Sequence, residues 1–234
     1  MELRATAIVR AKYRKEELSR RQKKMPNRVV IALKALVHIA CLAPVAWLIF
    51  HLIQNTMGPD PTRAAAFFTG RGTLRLLVIT LAISPLRKLF PRLGWVIRFR
   101  RMLGLYAFFY ACLHMLTYVW LYAGFSLSAM VDDISQRRFI TAGLAAWLML
   151  IPLALTSTSW AIRKLGGRNW NRLHWLTYAA AVAGVIHYWW GVKQGVRTPL
   201  EITVALGIVL GARPALAWAR RQGVSKVPAE RGIL

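Results

Sequence analysis

The 234 residues pair a hydrophobic fraction of 56% with 33 lysines and arginines against 8 aspartates and glutamates, a formal net charge of +25. So apolar and so basic a composition excludes an ordinary soluble domain. Apolar runs recur along the whole length, which predicts one integral membrane domain with no room for a separate soluble catalytic domain.

Residues 1–30 read as a basic arm; they carry no signal-peptide pattern, and the apolar run behind them has no small-residue cleavage site. Six transmembrane helices are predicted next, over 35–54, 73–90, 103–124, 139–160, 173–192 and 199–217, so the fold class is all-α, a polytopic six-helix membrane bundle. The second opens on Arg71 and Arg75 and has Pro85 near its end. The sixth is interrupted by Arg213 and Pro214, and its last turns are expected to leave the membrane. The transmembrane domain is drawn over 31–218 and a tail over 219–234. Cys41 and Cys112 fall inside apolar runs without a CxxC pair, which reads as small core residues and against thiol redox chemistry or structural zinc.

The positive charge is distributed by side, as membrane orientation requires. With the N-terminus in the cytoplasm, 26 lysines and arginines fall inside and 7 outside, which predicts two cytoplasmic termini. The same distribution argues against a nucleic-acid partner and makes the arm a tail facing solvent or lipid headgroups.

Three histidines inside apolar segments carry the chemistry. A group that titrates near neutrality rarely sits in hydrocarbon unless it binds or moves something. His114 lies 13 residues past Arg101 and His187 lies 15 past Arg172, on helices predicted to run the same way, so the two should share a depth in the outer half. His174 lies 2 past Arg172 and His38 lies 4 past Lys34, both near the inner face. On one straight helix His174 and His187 would be about 20 Å apart and point about 140° apart, towards different neighbours. Bis-histidine haem is the reading this pattern suggests: one haem between His114 and His187, a second between His174 and His38. The bland alternative is that a membrane histidine hydrogen-bonds a neighbouring helix, a stabilisation of about 0.6 kcal/mol. His174 could equally be an ordinary wet histidine at the interface, and His51 reads as an interfacial side chain. Arg98, Arg100 and Arg101 could pair with haem propionates or a flavin phosphate, although the positive-inside bias explains them about as well. No GxGxxG after a strand, P-loop or HExxH is present.

The segments FTGRGTLRLLVITLAISPLRKLF (68–90), RRMLGLYAFFYACLHMLTYVWLY (100–122) and LTSTSWAIRKLGGRNWNRLHWLTYAAAVAGVIHYWWGVK (155–193) resemble the MsrQ (YedZ) family, over about residues 30 to 215. These are haem-binding membrane subunits of bacterial protein-methionine-sulfoxide reductases, with a ferric-reductase-like transmembrane fold. The resemblance implies a b-type haem, one or two per chain, an FMN, and electron delivery to a periplasmic molybdopterin partner, MsrP, at the bacterial inner membrane. It puts the family's histidines on His114, His174 and His187, and a first-helix histidine on His38. About 16 residues follow the predicted domain, too few for flavin and nicotinamide domains, so electrons are expected from the quinone pool or a cytosolic flavin reductase. On this reading the chain is an electron-transfer subunit rather than the catalytic one, and loops 55–72, 124–138 and 193–198 form the docking face. The rivals are a stand-alone cytochrome b reducing ferric iron or oxygen, and a histidine proton relay. The relay would need intramembrane carboxylates, and only Glu201 lies near a helix.

Overall fold

The first apolar run folds as a 27-residue helix, α1 (Asn27–Ile53), in a computed structural model that describes residues 26–192 and 198–225. The basic arm through residue 25, the segment 193–197 and the tail from 226 lie outside the described residues. The chain divides into two compact units, Met1–Val45 and Ala46–Leu234, and the boundary falls inside α1. In the first unit Ile31, Leu36 and Ile39 are exposed, a surface suited to lipid rather than water.

In the second unit, α2 (Pro61–Leu89) begins where chemistry rather than hydropathy sets the start. Asp60 accepts the Arg63 N–H at 2.8 Å, and Pro61 occupies the first turn, where its missing N–H is harmless. The helix therefore starts well before the predicted 73. Arg71 and Arg75 lie within it rather than at its start, with Arg71 Nε donating to the Phe67 carbonyl at 3.1 Å. A 3₁₀ segment (Pro91–Phe99) leads into α3 (Arg100–Thr117), which widens into a π turn over Tyr118–Tyr122.

Two stretches predicted as loops hold short helices. They are α4 (Leu127–Gln136), capped by Ser126, and α6 (Ser159–Leu173), which contains Gly166 at φ 73°. Between them α5 (Arg138–Leu155) stops before the predicted 160. Its end is written by three hydroxyls: Thr156 Oγ1 donates to the Pro152 carbonyl at 2.6 Å, Ser157 Oγ to Leu153 at 2.7 Å, and Thr158 caps α6 through the Ala161 N–H at 3.1 Å. Then come α7 (Leu176–Gly191) and α8 (Thr198–Ser225).

The expected break at Arg213–Pro214 does not occur, because α8 runs through both residues. Arg213 points inward, and its Nη2 donates at 3.0 Å to the Leu81 carbonyl of α2. That carbonyl lacks an intrahelical donor because the residue four positions on is Pro85, which has no N–H. The arginine thus repairs a gap that a proline made.

Among the described residues, five helical stretches are long and apolar enough to cross a membrane: α1, α2, Pro91–Tyr122, α5 and Pro199–Ala219 of α8. The fifth predicted segment, α7, has only 16 residues, a rise of about 24 Å. α2 packs on α3 and on α8, and α5 packs on α7, so that α3 and α7 face each other diagonally. One apolar core joins Leu74, Leu81, Ala181, Val185 and Leu206; another joins Leu77, Ala107, Ala111, Leu150 and Ala180. Small residues set the spacing: a Cβ on Gly72 would lie 2.5 Å from the Tyr110 ring, so α2 and α3 close on a glycine. The bundle has a basic end (Arg87, Arg100, Arg172) and a far end (Asp60, Tyr118, Gly191).

Candidate functional site

On the diagonal between α3 and α7, the rings of His114 and His187 meet edge-on with centroids 5.8 Å apart and planes at 73°. Both side chains are half-buried. Each ring is held from behind at Nδ1. His187 Nδ1 lies 2.6 Å from the Phe139 carbonyl oxygen, which can only accept, so Nδ1 carries the proton. His114 Nδ1 lies 3.3 Å from Thr69 Oγ1, whose own proton goes to the Ala65 carbonyl at 2.8 Å. The hydroxyl therefore accepts from His114. Each neutral ring is left with its lone pair on Nε2, the nitrogen turned away from its anchor.

Glycines on the two flanking helices admit these rings. A Cβ at Gly70 of α2 would come within 3.1 Å of His114 Cε1, and one at Gly143 of α5 within 2.6 Å of His187 Nδ1. α2 and α5 are thus cut back to hydrogen at the level of the histidines.

The arrangement fits a haem. Two imidazoles bound to one metal through bonds of about 2 Å have centroids about 6 Å apart, close to the separation here. Among the described residues no three His, Cys, Asp or Glu side chains gather, so protein groups alone do not complete a bare metal centre. Two opposed neutral imidazoles suit a metal that brings its remaining ligands with it, as a porphyrin does.

The basic end is different. His174 is not on a helix with His187; it occupies the turn between α6 and α7, and the straight-helix geometry does not apply. Its ring stacks on Trp170 at 3.7 Å, and its Nδ1 donates to the Trp170 carbonyl at 3.0 Å. Its Nε2 is buried with no hydrogen-bond partner among the described residues. Arg100, half-buried at the start of α3, is close enough to interact electrostatically with His174, while Arg101 beside it is exposed. His38 lies in the first compact unit with its side chain exposed. His51 contacts Trp47 and Phe50, with centroids at 4.3 and 5.4 Å.

The chain matches the family model of the ferric reductase like transmembrane component over residues 69–185, which includes His114 and His174 and ends two residues before His187. The haem-binding subunit MsrQ of protein-methionine-sulfoxide reductase from Xanthomonas axonopodis pv. citri is 44% identical over 203 residues, covering 84% of this chain and 92% of its own. The MsrQ of Herminiimonas arsenicoxydans is 41% identical over 191 residues, covering 81% and 87%. That of Xanthomonas euvesicatoria pv. vesicatoria is 46% identical over 190 residues, covering 79% and 86%. The chain belongs to the MsrQ family. No solved structure matches it.

Sequence reading of this MsrQ-family chain missed Thr69, Gly70, Gly143 and the Phe139 carbonyl. Thr69 and Gly70 stand in the FTGR motif, so the signal was visible but had no role. A backbone acceptor such as Phe139 O leaves no trace in a sequence.

Proposed function

We propose that this protein is a membrane b-type cytochrome passing electrons from the cytoplasmic or quinone side to a periplasmic molybdopterin methionine sulfoxide reductase (MsrP), for repair of oxidised envelope proteins. The observation that carries the reading is the opposed His114–His187 pair, 5.8 Å between centroids, with both Nδ1 atoms anchored and both Nε2 atoms left as ligands. Family membership and the helices long enough to span a bilayer support it.

In this reading His114 and His187 hold the outer haem, His174 and His38 are the further candidate haem ligands, and Arg100 and Arg101 serve the anionic group of a cofactor, haem or FMN. Haem supplies one-electron chemistry when bound. The chain's own residues fix the imidazole tautomers through Thr69 and Phe139, open the site with Gly70 and Gly143, and exclude water with the apolar bundle. The protein lies in the bacterial inner membrane with both termini cytoplasmic, its haem domain over 31–218 between the arm 1–30 and the tail 219–234. The donor is the quinone pool or a cytosolic flavin reductase. A proton relay is disfavoured because the four described carboxylates, Asp60, Asp132, Asp133 and Glu201, all lie at helix starts or on α4 towards the far end, and none pairs with a bundle histidine.

A reduced-minus-oxidised spectrum with haem quantified per chain tests the proposal. Low-spin b-type bands are expected, lost from the outer site in His114→Ala and His187→Ala and retained there in His174→Ala. A chain that takes up no haem when haem is supplied, or three variants with equal haem content, would overturn it.

A further inference from the structure

At the basic end, three elements converge on a cluster with charge but no counter-charge among the described residues. Arg213 of α8 is half-buried and lies with its Cζ 4.9 Å over the Tyr178 ring of α7. Its Nη2 is committed to Leu81 O at 3.0 Å, but its Nε is buried without a hydrogen-bond partner among the described residues. Arg100 of α3 is near enough to interact electrostatically with Arg213, Tyr178, Arg87 and His174, whose buried Nε2 also has no hydrogen-bond partner among the described residues.

Physical chemistry makes this an incomplete arrangement. Half-buried like charges repel, and a guanidinium stripped of water with a bare donor is unfavourable. Every described carboxylate lies at the far end or on α4, so none neutralises the cluster. Guanidinium groups from two helices beside a tyrosine hydroxyl form a donor set for a phosphate or carboxylate.

We propose that Arg213, Arg100 and Tyr178 form an oxyanion-binding site at the basic end of the bundle, taking the phosphate of FMN or a propionate of a second haem. The proposal rests on the electron-carrier reading only for the identity of the ligand. Arg213 is the fixed point, because its bond to the Leu81 carbonyl holds the guanidinium in place.

A purely structural role for Arg213 makes a different forecast. If it served only to satisfy Leu81 O, restoring that carbonyl's intrahelical donor with Pro85→Ala would make Arg213 dispensable. The experiment compares the full-length protein, Pro85→Ala and Pro85→Ala/Arg213→Gln, with Arg100→Gln as a second variant that leaves the Leu81 bond in place. FMN affinity is read by flavin fluorescence and haem potentials by optical redox titration, with the spectrum of the His114–His187 site reporting an intact fold.

The double variant and Arg100→Gln are expected to bind FMN about ten- to a hundredfold more weakly, or to move one haem to lower potential, relative to their parents. Weakened flavin binding alone identifies the phosphate, and a shifted haem alone identifies the propionate. A double variant matching Pro85→Ala in both readouts overturns the proposal. So does a wild-type chain that holds neither FMN nor a second haem, an outcome that leaves the His114–His187 reading standing.

Discussion

The two ends of the bundle treat their histidines in opposite ways. At the far end both rings are anchored at Nδ1, flanked by glycines and opposed across the α3–α7 diagonal. At the basic end His174 sits in a turn, stacked on Trp170, with no partner for its Nε2 among the described residues and with Arg100 close enough to act on it electrostatically. The first holds both rings through the protein's own atoms, and the second keeps a buried ring nitrogen with no hydrogen-bond partner among the described residues. Preorganisation comes from contacts behind the ligand, not from the ligand residue itself.

That contrast can be broken from the far end first. Gly143→Leu should abolish the low-spin signal of the outer site, since even a Cβ there would lie 2.6 Å from His187 Nδ1; an unchanged spectrum would remove Gly143 from the site. Thr69→Val takes the acceptor from His114 and should weaken haem retention about ten- to a hundredfold, measured by haem loss to an apo-globin acceptor. Gly70→Ala should do less, because its Cβ would meet His114 at 3.1 Å and a shift of a few tenths of an ångström relieves it; a small change in midpoint potential is the readout. Smallest is Thr156→Ala, which removes a side-chain bond closing α5 but keeps the Thr156 carbonyl to which Trp170, stacked on His174, donates. About 1 kcal/mol of stability, seen as a lower Tm with the spectra unaltered, is expected.

The same contrast marks what was legible in the sequence. The apolar runs and the spacing of His114 and His187 from Arg101 and Arg172 announced a helical bundle and two histidines at one depth. They could not announce α4 and α6, whose charged residues read as loop, or the early start of α2, which Asp60 and Pro61 dictate. Arg213 misled for a physical reason. An arginine in an apolar run reads as an interruption unless its partner is known, and that partner is a carbonyl 132 residues earlier in the chain. Sequence shows which groups must be satisfied, but the satisfying atom is often backbone from a distant helix.

The anchoring of the two far-end rings has a consequence for speed. An imidazole tied at Nδ1 to a carbonyl or a threonine hydroxyl cannot swing when charge arrives beside it, and the glycines opposite leave no side chain that must move aside. On the proposed reading, a site built this way would change its charge with little change of shape, so little energy would go into rearranging its surroundings at each electron passage. The stiffness that looks like a folding device would then be, in kinetic terms, a low reorganisation energy.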